Sequence, residues 1–314
     1  MVVPLAPGVS LAQNRLETAP LRPEGEIEVQ TASLRARRII AAGYHGRVLG
    51  SYRHGIVALD RRGRPLHLTC RKDGIGPFSL WIGPRCWPIS WAEEGPPAST
   101  PMTGGAHGLH LGRWRIMLDR AEDWDPRPIW RALRSRLGWW IEIARNLAAA
   151  TRLETTDLTD DRSWPRLHAR RAEFRRAMLR QDGEAVPRAA CALAGLGPGL
   201  TPAGDDYLAG VLMGMRAIPS GTIWRLAAPA ILNAITGRTT TLSAALLAAA
   251  FRGEAARPWH ALLWALARGD AANALCAAAS VRRLGHSSGT WCLAGFLDTV
   301  LDATEGARCS PPPP

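Results

Sequence analysis

Lysine is almost missing from this sequence. Lys72 is the only one among 39 basic residues, so the other 38 are arginines. A lysine Schiff base would have to form at Lys72. A Walker-type phosphate loop ends in Gly-Lys-Ser/Thr, and no glycine-rich stretch here has that ending. Cysteine is sparse and unpatterned. The six cysteines at 70, 86, 191, 276, 292 and 309 include no CxxC pair and no His/Cys cluster at zinc spacing. No basic residue precedes Arg15, unlike a secretory signal. The longest apolar run, around 242–251, is too short to span a bilayer. These absences predict free thiols in a reducing compartment and a soluble, cytoplasmic chain. No repeat of fixed period is present.

The 314 residues suffice for two domains or one large one. With 46% hydrophobic and 21% charged residues, the chain can bury a core, which excludes disorder, collagen and coiled coil. The net charge of +12 and the pI near 10.7 invite a nucleic-acid reading. The make-up of that charge weakens it. Arginine and alanine in place of lysine and isoleucine follow the pattern of a GC-rich genome. The arginines are scattered, with short runs at 35–38 and 170–176, as on a solvated surface. A polyanion-binding patch stays open, as does a basic mouth that attracts anionic metabolites.

The coarse organisation is α+β: a β-rich N-terminal half, as an antiparallel sheet or small barrel, then an all-helical C-terminal half. Residues 1–40 read as an irregular lead-in. Residues 41–150 read as a β-rich domain ending in a long helix. Short apolar runs at 46–54, 55–60, 66–70 and 77–82 are punctuated by turns such as 61–65, and 109–118 adds a last strand. Helical periodicity over 126–150 aligns Trp130, Leu133, Leu137, Ile141, Ala144 and Leu147. Residues 151–165 read as a polar linker, 166–306 as a helical domain and 307–314 as a disordered proline tail. Strands and helices do not alternate, so a doubly wound sheet is not expected. Asp270 is the expected N-cap of a helix ending near Arg282, Arg283 and Gly285. Gly210 and Gly214 predict close approach of a neighbouring helix. Trp139-Trp140 marks a candidate protein contact.

The chemistry-bearing stretch is Gly195-Leu-Gly-Pro-Gly-Leu-Thr-Pro-Ala-Gly-Asp-Asp206. It joins two helices, and no strand precedes it, which excludes a dinucleotide fingerprint. Gly197 and Gly199 let a ligand approach the main chain. Thr201-Pro202 is a helix-start signature, with the hydroxyl as cap. The free N–H groups there, including the turn at Gly204, form an anion site. Asp205 and Asp206 could cap the turn, accept ligand protons or hold a divalent cation such as Mg; no other cofactor is implied. Two more segments open helices. In 236–243, Thr240, Thr241 and Ser243 offer hydroxyls, and Arg238 could neutralise an anion. In Gly285-His-Ser-Ser-Gly289, His286 is the best-placed acid–base group, and Ser287, Ser288 and Gly289 cap the next helix or hold an anion. Three loops of one type predict that helix N-termini converge on a phosphate or carboxylate.

These three segments, with Gly253-Glu254, resemble the AllH family of bacterial proteins, a subunit of oxamate carbamoyltransferase in allantoin breakdown. The resemblance is strongest over 191–300 and weaker over 46–83, where Ala58-Leu-Asp and Gly76-Pro-Phe-Ser look similar. Where the family usually has serine before Gly-Asp-Asp, this chain has Ala203. The resemblance implies a multisubunit reaction in which oxalurate and phosphate give oxamate and carbamoyl phosphate. It also implies FdrA-like and AllG-like partner subunits and a small anionic metabolite as ligand; the residues themselves argue against nucleic acid and membrane as partners. Asp205, Asp206 and His286 are then the catalytic candidates. The alternatives are a non-catalytic anion-binding or scaffolding subunit, a stand-alone ureido-compound hydrolase and a nucleic-acid binder. The last lacks a motif and interleaved aromatics.

Overall fold

The computed structural model describes residues 25–105, 107–150, 163–219 and 223–309. The N-terminal half is one ten-stranded sheet, made of β1 (Glu26–Glu28), β2 (Thr31–Ser33), β3 (Tyr44–Tyr52), β4 (Gly55–Asp60), β5 (Pro65–Thr69), β6 (Ser79–Trp81), β7 (Pro101–Gly105), β8 (Gly108–Leu111), β9 (Trp114–Met117) and β10 (Glu122–Trp124). Helices α1 (Leu34–Ala41) and α2 (Ile89–Glu93) are inserted in it. The strand order is β1-β9-β8-β7-β3-β4-β5-β6-β2-β10. The α+β division is thus as the sequence predicts.

The central strands pair antiparallel, while β1–β9, β5–β6 and β2–β10 pair parallel, so the sheet is mixed. Segment 26–33 runs between the two ends of the sheet. Val29 donates its N–H to Met117 and Gln30 to Trp81, so one short stretch bridges the curl. Residues 26–41 are therefore structured rather than an irregular lead-in. The alternation read in Leu66-His-Leu-Thr has its physical basis here: Leu66 and Leu68 are buried on the core face between β4 and β6.

The helical half comprises α3 (Trp130–Arg134), α4 (Leu137–Ala150), α5 (Ser163–Leu179), α6 (Ala185–Leu193), α7 (Ala203–Ala217), α8 (Ile223–Leu226), α9 (Ala228–Ile235), α10 (Thr241–Phe251), α11 (Arg257–Arg268), α12 (Ala271–Arg282) and α13 (Ser288–Cys309). The predicted helix over 126–150 is two helices. Trp140 donates its indole N–H to the Leu133 carbonyl across the break at 135–136. Most of the predicted linker, 151–162, lies outside the described residues, as do residues 310–314 of the predicted tail; helix α5 already begins at Ser163, and 307–309 are the end of α13 and not part of a disordered tail. Asp270 caps α12, accepting from the Asn273 N–H. Gly285 adopts positive φ two residues beyond the Arg283 cap rather than directly after it.

Helix α7 is at the centre of this half, and nearly all of its residues are buried. A helix apolar on every side belongs inside. It packs along α13, where Gly210, Gly214 and Gly295 remove side chains from the crossing. Helix α5 clamps α13 from outside: Arg171 pairs with Asp298 at 2.7 Å and Arg175 with Asp302, while Tyr207 donates to Asp298 at 2.9 Å.

The halves are joined through the α10–α11 connection. The Ala255 N–H donates to Pro126 and the Arg257 N–H to Ile75. Trp130 donates to Gly253 at 2.7 Å. Glu254 is buried and takes a bidentate pair from Arg35 on α1, with Arg252 adding a second guanidinium. Helix α10 also lends Ala249 to the sheet core. Removing one partner of a buried ion pair leaves an uncompensated charge. Arg252 still faces Glu254, so Arg35→Ala is expected to cost about 2 kcal/mol in denaturant unfolding. Loss of only a few tenths would show that this pair does not tie the halves together.

Candidate functional site

The three loops singled out above meet in space. The loop 195–202 leads into α7. Asp205, in the first turn of α7 and 2% exposed, turns back to accept the Gly195 N–H at 2.8 Å and the Thr239 hydroxyl. Thr239 was not among the residues singled out, although the three-threonine run contains it. Thr240 caps α10 by accepting the Ser243 N–H at 3.1 Å, and it donates to the Leu200 carbonyl at 2.8 Å. Thr201 and Ser288 share a hydrogen bond of 3.0 Å, which joins the first loop to the start of α13. Gly195 has φ +71°, and a Cβ there would lie 2.7 Å from the Arg238 carbonyl oxygen. Only glycine fits where the first and second loops touch.

Several roles differ from expectation. Thr201 does not cap α7. Pro202 holds the cap position and the Thr201 hydroxyl is used by Ser288 instead. The first-turn N–H groups are not all free: Gly204 donates to Leu196, and Asp205 and Asp206 donate to Pro202. This removes most of the donors that the expected backbone anion site needs. Gly204 and Gly289 serve packing, because a Cβ on either would meet a carbonyl oxygen of the preceding helical segment at 2.0 and 1.9 Å. Gly197 and Gly199 have positive φ; Gly197 is half-buried against Ala203, and Gly199 is exposed. Ser287 accepts the Trp291 N–H through its carbonyl and so opens α13. His286, Arg238 and Thr241 are exposed, and none of their side chains enters the hydrogen bonds that join the loops. Trp139 is 74% exposed while Trp140 is fully buried in the helical core, so only Trp139 is available to a protein contact.

Asp206 follows Asp205 in the first turn of α7. Its Oδ2 is buried without a hydrogen-bond partner. Burial pushes its carboxyl up to about 7. Hydrogen bonding from Ser288 opposes this, the neighbouring Asp205 carboxylate adds to it, and Thr201 opposes it again. The Cys292 thiol, one turn along α13 from Ser288, is pushed well above its usual value by burial and by Asp206. Sequence reasoning missed Cys292, which carries no local motif. Ser243 is buried on α10 and its hydroxyl has no partner.

A divalent cation fits this donor set poorly. Both carboxylate oxygens of Asp205 are used by Gly195 and Thr239. Among the described residues, no group of three or more His, Cys, Asp or Glu side chains could hold a metal ion. Chemically the cluster offers a carboxyl that changes protonation near neutral pH, between two hydroxyls that can donate or accept.

The fold and the cluster together define an α+β protein with a polar three-loop site in its helical half. Residues 193–300 match the family model described as oxamate carbamoyltransferase subunit AllH. The AllH-like resemblance thus holds over the segment that carries all three loops. No solved structure matches the chain. Among the described residues, no helix is long and apolar enough to cross a membrane.

Proposed function

We propose that the chain is a cytoplasmic subunit of a carbamoyltransferase complex that converts oxalurate and phosphate to oxamate and carbamoyl phosphate. The three-loop cluster is its small-anion site. One observation carries this reading: the three loops are stitched to one another through Asp205, Thr239, Thr240, Thr201 and Ser288, and beside them burial pushes the Asp206 carboxyl up to about 7. FdrA-like and AllG-like subunits are the expected partners.

In this reaction a phosphate oxygen bonds to the carbamoyl carbon and the bond from that carbon to the oxamate nitrogen breaks. The phosphate loses one proton and the leaving nitrogen gains one. Asp206 is suited to carry that proton, since a group with its pKa near the working pH both gives and takes it readily. Thr201 and Ser288 would hold the anion or the leaving group by hydroxyl hydrogen bonds. Asp205 is a positioning residue that fixes the first two loops, not a proton carrier. His286 and Arg238 are free to turn toward an incoming anion from outside.

The reading is tested by thermal unfolding with phosphate, carbamoyl phosphate, oxalurate and oxamate. An anion at 100 times its dissociation constant adds about 2.7 kcal/mol of stability. At least one of the four is expected to raise the midpoint, and Thr201→Ala/Ser288→Ala is expected to abolish the shift. A shift that persists in the double variant would place the anion elsewhere. The absence of any shift, with the chain alone or with its partner subunits, would favour the scaffolding reading.

A further inference from the structure

A second polar surface lies on the outer face of the sheet and takes no part in the loop cluster. The strand register sets one row across four strands. His45 on β3 is opposite Thr103 on β7, Thr103 is opposite His110 on β8, and His110 is opposite Arg115 on β9. Directly paired residues share a face. His45, Thr103 and His110 are all exposed. Two adjoining open grooves of about 420 and 360 Å³ lie along this row and share His45 and Thr103. The first groove continues past Arg47 to Arg61, in the β4–β5 turn.

The charge of these grooves is one-sided. Asp60 is the acidic residue in the lining, and Arg64 neutralises it at 2.6 Å. Arg115 pairs with Glu26 at 2.8 Å, Arg47 donates to the Ser99 carbonyl, and the Arg61 guanidinium is exposed. Among the described residues, no Phe, Tyr or Trp lines either groove; the rings there are those of His45, His107 and His110. Nucleic-acid bases would therefore find no large aromatic platform of the kind single-strand binders use. The groove also leads toward the cluster described above. Beyond Arg61 the turn reaches Gly63, where a Cβ would lie 2.9 Å from the Thr241 methyl at the start of α10.

We infer that this groove, from Arg115 across His110, His45 and Arg47 to Arg61, is the docking surface for an acidic, extended segment of a partner protein. Charge complementarity carries the inference, and an open groove crossing several strands suits an extended chain. A segment seated there would end beside the second loop. The inference does not depend on the chemistry proposed for Asp206.

The test uses the full chain and a fluorescein-labelled decaglutamate peptide, read by anisotropy. Arg61→Glu/His110→Glu makes the groove three charges more negative with histidine neutral, and Arg180→Glu/Arg282→Gln makes the same net change on the helical half. Circular dichroism confirms that both fold, and Arg61→Gln/His110→Gln is the milder pair. The groove reversal is expected to weaken the peptide about tenfold or more, with the control within about twofold. Raised salt should weaken the peptide on the unchanged chain. Equal loss in both reversals, or no peptide binding at all, would overturn the inference. So would tighter binding of single-stranded DNA that depends on Arg61 and His110.

Discussion

Asp206→Asn is expected to be more stable than the natural chain at pH 8, by up to about 4 kcal/mol. The sign follows from the raised carboxyl. In the folded protein Asp206 titrates near 7, against 3.8 in the open chain. Between these values the folded state keeps a proton that the unfolded state has lost. Stability therefore falls as pH rises from about 4 toward 7, and the contribution is gone once the folded carboxyl ionises. Asparagine is neutral at every pH and never places a charge on the buried Oδ2 position. The gap between variant and natural chain should thus open as pH rises above about 4 and level off once the folded carboxyl ionises near 7, so it should be small at pH 4 and near its full size at pH 8. Urea unfolding at the two values measures it. A variant less stable at pH 8, or a gap that ignores pH, would show that Asp206 is not held in a desolvated site. Stability given up at a reactive group is a common feature of functional sites.

Gly210→Ala is expected to be among the most damaging single-methyl additions. Its Cβ would lie 1.9 Å from the Cys292 carbonyl oxygen and 2.9 Å from the Phe296 nitrogen. Both are backbone atoms of α13, so no rotamer change relieves the overlap and the helices must separate. Overpacking of this kind costs about 3 kcal/mol or more. The consequence extends to the site, because Ser288 and Cys292 are on the end of α13 that would be pushed away. Loss of the anion-induced melting shift should accompany the loss of stability. Gly138→Ala is the matched control. A Cβ there meets nothing within 4 Å, and the residue is exposed in the first turn of α4. It should be neutral or slightly stabilising. Equal behaviour of the two substitutions would refute the close-crossing account.

The division into a sheet half and a helical half was legible because the two periods differ. Leu66 and Leu68 alternate at two residues, whereas Ile141, Ala144 and Leu147 recur at helical spacing. Asp270 declared its helix start through a local hydrogen bond, and Gly210 declared a close crossing through the cost of glycine in a helix. Strands β1 and β2 were hidden because three residues are too few to show a period, and their pairing is supplied by Met117 and Trp81, far along the chain. The site divided in the same way. Its loops were visible from glycine, threonine and serine at helix starts. The roles of the two aspartates were not, because they depend on what faces each carboxylate. Asp205 meets Gly195 and Thr239 and becomes a stitch; Asp206, the next residue, meets two hydroxyls in a desolvated setting and becomes the titratable group. Likewise, nothing local shows that Thr201 serves Ser288 and not its own helix.

The proton-carrying role of Asp206 is tested most directly by turnover. Carbamoyl phosphate formation from oxalurate and phosphate would be followed in the complex purified with its partner subunits, natural chain against Asp206→Asn. The account predicts that kcat falls about 100-fold or more, as expected for removal of a general acid–base group, while the anion-induced melting shift is retained. An unchanged kcat in a complex that assembles normally would contradict it, and would leave the three-loop cluster as a binding site whose chemistry is done by another subunit.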